Sequence, residues 1–440
     1  MSDIRLPGIR LPGIRLIVVD PGHFHAALVQ KEMYPALSPR VQVYAPLGPD
    51  LVDYLTRIAR FNQRPDEPTS WEIELHASSD FLDRMRAETP GSVAIFSGRN
   101  GGKIERIAAA VEAGLHVLAD KPAIIRREDL ALLEASLDAA KARRLIVADM
   151  MTGRSNTLAR LLCALRADPE LFGEPVAGTA DEPGVVLSGM HYLSKMVAGV
   201  PNPRPAWYFD IGQQGEGLAD TAVHLVDRVH TTLFPDAALD YRRDIEIVAA
   251  RRWPTVVTSA QFRQLTGENR WPDFLAPWLR GDGLDYFCNG RVDYRVRGIW
   301  VRLEVGWDWQ AEAGDDTHQA LYRGTRCRLE IRQGPKQHYR PELYVVPLDG
   351  MPPGETGGAL ERRITALQPL YPGIAIENLG REWRIVVPDA LRITHDPAFA
   401  AFTRGFLALV DNPASLPAWH RANLLAKYYV TTEAVALSQS

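Results

Sequence analysis

The sequence predicts an α/β protein of two domains: a doubly wound parallel sheet, then an α/β domain with a large, open, mostly antiparallel sheet. Three observations carry this. The chain has 440 residues, more than one compact core ordinarily holds. From residue 16 to about 150, short buried-strand patterns alternate with helical ones, as in parallel strands joined by helices. After Met151, segments alternate polar with apolar or β-branched residues, as in antiparallel strands with one solvated face.

In chain order, Ile14 to Asp20 reads as a buried strand, followed by a Pro-Gly turn and a helical run from Ala26 to Met33. Val41 to Tyr44 and Val93 to Phe96 are further strands, the latter ending at Ser97-Gly-Arg-Asn-Gly-Gly. An amphipathic helix from Ile104 to Ala113 stops at Gly114, a residue suited to the left-handed turn that closes a helix. His116 to Ala119 is a strand, Arg127 to Arg143 a helix, and Leu145 to Ala148 a strand. In the second half, Ile245 to Ala249, Arg291 to Val296, Ile299 to Trp307 and Arg326 to Ile331 read as strands. Helices are expected over 154–166, 217–233, 397–411 and 418–437, and long loops over the Pro- and Gly-rich 335–375. The expected division is a disordered extension over 1–15, a nucleotide-binding-type domain over 16–150, and a substrate-binding and oligomerisation domain over 151–440. The extension repeats Arg-Leu-Pro-Gly-Ile twice and lacks the continuous apolar core of a signal peptide.

Composition narrows the function classes. With 46% hydrophobic and 24% charged residues and a net charge of -4, the chain gives no reason to expect nucleic acid or an anionic membrane as partner. No apolar run approaches the roughly 20 residues of a membrane span. Cys163, Cys288 and Cys327 match neither a disulfide framework nor a metal spacing, so a reducing, cytoplasmic setting is expected.

The chemistry concentrates in two motifs. Val117-Leu-Ala-Asp120-Lys121-Pro122 delivers a lysine directly after a buried strand, at the edge of the sheet where such folds bind ligands. A partly desolvated lysine has its pKa drawn toward roughly 7–8, where it serves as a general acid or base. Asp220, His224 and Asp227 stand at i, i+4 and i+7, on one face of a helix. Here His224 is the candidate base and Asp220 the group that orients it or holds substrate hydroxyls, while Asp227 fixes His224 or packs in the domain interface. No third ligand stands at a suitable spacing, so no metal site is expected.

These two motifs together resemble the Gfo/Idh/MocA family of nicotinamide-dependent oxidoreductases, in which a Glu- or Asp-Lys-Pro motif and a later Asp-x-x-x-His carry the chemistry. The resemblance implies a Rossmann domain, NAD or NADP as cofactor, a cis Lys121-Pro122 bond, and a sugar, cyclitol or related polyol as substrate. It also implies homo-oligomers formed through the outer faces of the open sheets. In the loop Asp20-Pro-Gly22-His23-Phe24-His25, where the family has Gly-x-Gly-x-x-Gly, only the middle glycine is present. Gly22 precedes a helix N-terminus, where a phosphate is favoured, and His23 and His25 are each able to donate a hydrogen bond to it. Gly22, His23, Phe24, His25, Ser97, Gly98, Asn100, Asp120, Lys121 and Pro122 are the expected cofactor contacts. Arg99 either meets a phosphate or is solvated. No acid follows the second strand until Asp50, which leaves NAD and NADP open.

Thr152, Arg154, Trp207, Tyr208, Asp220 and His224 are the expected substrate contacts. Gln213, Gln214 and Glu216 are further hydroxyl-binding candidates, and His191 and Lys195 a weaker pair. The altered glycine loop keeps a second activity open: glycoside cleavage by transient oxidation and elimination, with a tightly bound NAD(H) recycled. A third reading is a nucleotide-binding sensor without turnover.

Overall fold

The computed structural model describes residues 13–197, 200–201, 203–311, 314–350 and 353–439. The expected disordered extension lies outside the described residues up to residue 12. The chain forms two compact units. Unit 1 runs to Ile124 and adds Glu128–Thr152 and His395–Arg421, and unit 2 holds Ile125–Arg127, Gly153–Thr394 and the chain from Ala422.

Unit 1 begins with β1 (Ile14–Val19), α1 (His25–Leu28), β2 (Leu37–Ala45), α2 (Pro49–Gln63), β3 (Glu72–Ala77) and α3 (Phe81–Arg86). It continues with β4 (Val93–Phe96), α4 (Lys103–Glu112), β5 (His116–Ala119), α5 (Leu130–Ala142) and β6 (Val147–Asp149). All six strands are parallel, in the order β3-β2-β1-β4-β5-β6. Every residue of β4 and β5 is buried, which is why these strands read as unbroken apolar runs. The order reverses between β1 and β4, and the crevice beyond their C-terminal ends is where doubly wound sheets take ligands. On one side the core joins Leu16, Val18, Val43 and Ile95 to Phe399, Phe406, Leu407 and Val410 from near the chain's end.

Unit 2 opens with α6 (Thr157–Arg166), β7 (Val185–Tyr192), the short pair β8 (Met196–Val197) and β9 (Val200–Pro201), α7 (Gly217–Asp220) and α8 (Ala222–Leu233). Then come α9 (Tyr241–Asp244), β10 (Ile245–Thr258), α10 (Ser259–Thr266), β11 (Leu279–Arg280), β12 (Gly283–Val296) and β13 (Ile299–Asp308). β14 (Thr317–Arg323), β15 (Cys327–Gln333), β16 (Glu342–Pro347), α11 (Pro353–Leu367), β17 (Ala375–Asn378) and β18 (Trp383–Val386) follow. Next, α12 (His395–Asp411) belongs to unit 1, whereas α13 (His420–Gln439) lies in unit 2 from Ala422. The large sheet has ten strands, ordered β10-β12-β13-β7-β14-β15-β16-β18-β17 with β11 on β12. β7 and β13 pair in parallel and the other neighbours are antiparallel.

Three local expectations are corrected. The helix after β1 is four residues long rather than a run from Ala26 to Met33, and Pro35 disfavours helix at the residue before it. Residues 335–375 contain β16 and α11 instead of long loops. In α11, buried Leu360, Ile364 and Leu367 recur at helical spacing, Pro353 takes the first position, and the missing side chain of Gly357 admits Trp383 at 3.2 Å from where a Cβ would lie. The helix expected over 217–233 is divided at Thr221 into α7 and α8. Residues 49–86, unassigned from sequence, form α2, β3 and α3. Among the described residues no helix is long and apolar enough to cross a membrane. All three cysteines are free thiols.

Candidate active site

In unit 1, three loops meet at the C-terminal ends of β1, β4 and β5. The Gly22 and His23 amides donate to Ser97 O at 2.9 and 3.1 Å, which ties the first loop to the turn after β4. A Cβ on Gly98 would lie 2.7 Å from Asp20 O and 2.9 Å from Gly22 N, so only glycine lets the backbones approach this closely. Asp20 stands where the resembled family has its first glycine. Its φ is 45°, a left-handed value that Asp tolerates better than most residues, and Arg106 Nη1 holds its carboxylate at 2.8 Å. Arg99 is not merely solvated: its Nη1 lies 2.9 Å from Asp50 Oδ2.

Asp120, 4% exposed, is the hub of the site. Its Oδ1 accepts from His25 Nδ1 at 3.0 Å and from the Lys121 amide at 2.9 Å, and its Oδ2 accepts from Ser97 Oγ at 3.2 Å. His23 Nδ1 lies 2.8 Å from Oδ2, yet the approach does not have hydrogen-bond geometry and this buried nitrogen has no hydrogen-bond partner. Burial works against charge on Asp120, but His25 and His23 beside it hold the carboxyl well below its usual range. Burial, reinforced by His25, brings the His23 imidazole down to about 4. The His25 ring stacks on His395 (centroids 5.3 Å apart) and packs against Phe399 at 5.2 Å, both from α12. Phe24 is 38% exposed.

Lys121 is half-buried, and its bond to Pro122 is cis. Lys103, which sequence reasoning missed, is 1% exposed beneath this segment. Its ammonium donates to Asn100 Oδ1 (2.5 Å), Asp120 O (2.9 Å) and Pro122 O (3.2 Å), so it clamps the backbone on both sides of Lys121. A signal existed: a lysine in the first turn of a helix opposes the macrodipole, and this one shares the apolar face of Ile107.

In unit 2, Asp220 ends α7 and is 8% exposed, and His224 lies in the first turn of α8, half-buried. The His224 amide donates to Thr221 O at 3.2 Å, a tighter turn than an α-helix makes. Asp227 does not serve His224. Its carboxylate takes Arg154 Nε at 2.8 Å and Nη2 at 2.5 Å, with Lys427 Nζ at 3.3 Å. Burial opposes that charge, but Arg154 and Lys427 hold the carboxyl far below its ordinary value. Arg154, expected at substrate, is thus committed to Asp227. Trp207 and Tyr208 are 5% and 7% exposed, and Tyr208 sits in an apolar cluster with Phe209, Phe262 and Tyr286. Gln213 donates to Asp210 at 2.8 Å, and Glu216 is paired with Arg252 and with Gln439. His191 and Lys195 do come together, both on Asp316. Thr152 opens a short 3-10 turn.

The model of the family described as "Putative oxidoreductase C terminal domain" matches residues 161–439. No curated protein matches the chain. Among solved structures, a "putative oxidoreductase" from Parabacteroides merdae ATCC 43184 is 39% identical, with 97% of each chain covered and a TM-score of 0.95. KijD10, a 3-ketoreductase from Actinomadura kijaniata solved with NADP and TDP-benzene, is 16% identical over 95% of this chain and 96% of its own, with a TM-score of 0.55. Biliverdin reductase from Synechocystis sp. PCC 6803, solved with biliverdin and NADP+, is 10% identical over 97% of this chain and 99% of its own, with a TM-score of 0.57. These last two likenesses are of fold. The family match over more than half of the chain and the close likeness to the Parabacteroides protein agree: the chain belongs to the family of oxidoreductases that carry this C-terminal domain.

Proposed function

We propose that the chain is an NAD(P)-dependent oxidoreductase of the Gfo/Idh/MocA kind, moving a hydride between nicotinamide and a secondary alcohol of a sugar, cyclitol or related polyol. The observation that carries this reading is the meeting of the β1 loop, the Ser97–Asn100 turn and Asp120-Lys121-Pro122 where the strand order reverses. A dinucleotide fits here. Gly98 lets the turn after β4 close against the backbone of the Asp20–Gly22 loop, and the Asp20 carboxylate, which would repel a diphosphate, is neutralised by Arg106. The NADP in the KijD10 and biliverdin reductase structures supports the same assignment.

When bound, the nicotinamide supplies the hydride acceptor or donor. Gly22, His23, Phe24, His25, Ser97, Gly98 and Asn100 would hold the dinucleotide. Lys121, held by the clamp that Lys103 places on its neighbours, would bind the reacting hydroxyl and the nicotinamide ribose. Oxidising an alcohol removes a proton together with the hydride, so a base is needed. His224 takes that role, with Asp220 orienting the imidazole or holding a substrate hydroxyl. Thr152 and Trp207 remain substrate contacts in this reading. Homo-oligomers would form through the open face of the ten-stranded sheet, and three free thiols suit a reducing cytoplasm. The histidine-bearing loop favours a second reading of the same site, in which the cofactor stays bound and is recycled during glycoside cleavage.

The test denatures freshly purified protein and identifies any released nucleotide, then follows NAD(P)H formation on a polyol panel. Lys121→Ala and His224→Ala are each expected to lower kcat about 100-fold or more. Full turnover in either variant, or no binding of NAD(P)H by the wild type, overturns the reading.

A further inference from the structure

We infer that His23, His25 and Asp120 form a binding site for one divalent first-row transition metal ion, zinc being the reference case. Among the described residues these three are the group of potential ligands that converges, with one ligand atom from each lying within 4.8 Å of the others. The Nδ1 atoms of His23 and His25 stand 2.8 and 3.0 Å from the two oxygens of Asp120. Ligands bound at roughly 2.0–2.2 Å around one ion sit about 3–3.5 Å apart, so small adjustments of the imidazoles admit an ion.

The unsatisfied nitrogen is the second observation. His23 Nδ1 is buried and carries no hydrogen bond, although a carboxylate oxygen is 2.8 Å away. A buried ring nitrogen without a hydrogen-bond partner is costly, and a cation bridging it to the nearby carboxylate satisfies it. The surroundings are also those of a metal site. Ser97 Oγ and the Lys121 amide fix the carboxylate, and the stack on His395 fixes the His25 ring. Groups of this kind orient ligands and tune their affinity.

Two imidazoles and one carboxylate select a first-row transition ion over magnesium or calcium, which prefer all-oxygen ligands. Three protein ligands leave at least one coordination position open to water or to an anionic oxygen. The site stands on unit 1 alone, and because His23 and His25 are also given to the dinucleotide in the proposed function, it is tested without nucleotide.

The test uses the untagged full chain, stripped with a chelator and free of nucleotide, titrated with Co2+ and then with Zn2+. The expected result is one equivalent of Co2+ with visible ligand-field absorption, displaced by one equivalent of Zn2+. His23→Ala and His25→Ala each weaken binding more than roughly 100-fold, the upper range for loss of an outer-shell partner alone. His76→Ala, away from the trio, leaves it unchanged. Asp120→Asn keeps the shape of the site and is also expected to abolish binding, so a variant that fails to fold does not leave the inference untested. Circular dichroism of the metal-free proteins checks folding. Absence of stoichiometric binding by the wild type, or binding by folded variants equal to it, overturns the site. Because nucleotide is absent throughout, that failure would leave the hydride-transfer reading untouched.

Discussion

Replacing Asp227 by Asn should destabilise unit 2 far more than replacing its cationic partner Lys427 by Met. The carboxylate is 5% exposed, and it faces Arg154 on two nitrogens and the 1% exposed ammonium of Lys427. Asp227→Asn leaves that ammonium buried beside a neutral amide, and breaking a buried pair in this way costs about 3–5 kcal/mol. Lys427→Met instead leaves Asp227 on Arg154 and fills a similar volume, so about 1–2 kcal/mol is expected. At about 2 °C per kcal/mol for a unit of this size, the calorimetric midpoint should fall roughly 6–10 °C for Asp227→Asn and roughly 2–4 °C for Lys427→Met. The double variant should recover part of the loss, because the two residues are coupled. The pH dependence has a definite sign. Burial disfavours the Asp227 charge, but Arg154 and Lys427 outweigh it and lower the folded pKa, so the pair's contribution is complete above the unfolded value of about 3.9 and is lost as pH falls below it. The gap between wild type and Asp227→Asn should therefore close in acid. Equal effects of the two single variants, or strict additivity in the double, would refute the reasoning.

Three other outcomes are expected. Burial lowers the His116 pKa to about 4, and its Nδ1 accepts from the Ile146 amide at 3.0 Å, so the neutral ring is the folded form. The unfolded chain binds the extra proton between about pH 6.5 and 4, and unit 1 should lose about 2 kcal/mol from this group between pH 7 and 5. His116→Asn, measured by urea unfolding at both pH values, should show a smaller loss. Gly98→Ala drives a Cβ into Asp20 O and Gly22 N, backbone atoms that cannot swing aside, and should cost about 1–3 kcal/mol and weaken NAD(P)H binding measured by fluorescence titration. Lys103→Met leaves the Asp120 and Pro122 carbonyls without their ammonium, and should cost about 1–3 kcal/mol in thermal unfolding and weaken the same NAD(P)H binding.

What could be read from sequence follows from how local each signal is. Strands such as Val93–Phe96 and His116–Ala119 are buried on both faces and announce themselves as apolar runs. β3 does not, because most of its residues lie open at the sheet's edge. The turn at Gly114 (φ 79°) and the lysine after β5 are written in three or four adjacent residues. The convergence of His23 and His25 on Asp120 spans about a hundred residues, and the meeting of Asp227 with Lys427 spans 200. No spacing rule reaches that far. Arg154 and Glu216 carry the right chemistry for a sugar site, and their charged groups pair with Asp227 and Arg252, while the Tyr208 ring packs in an apolar cluster.

The return of α12 to unit 1 bears on how this chain is made. The apolar side of the first sheet is closed by Phe399, Phe406, Leu407 and Val410, which leave the ribosome about 250 residues after β6. At a synthesis rate of about 5–20 residues per second, the nascent sheet waits on the order of 10–50 s for the helix that covers it. During that interval an aggregation-prone face stands open, and a nascent chain that stops near residue 150 never closes it. The sheet of this unit is therefore translated well before the helix that completes its core.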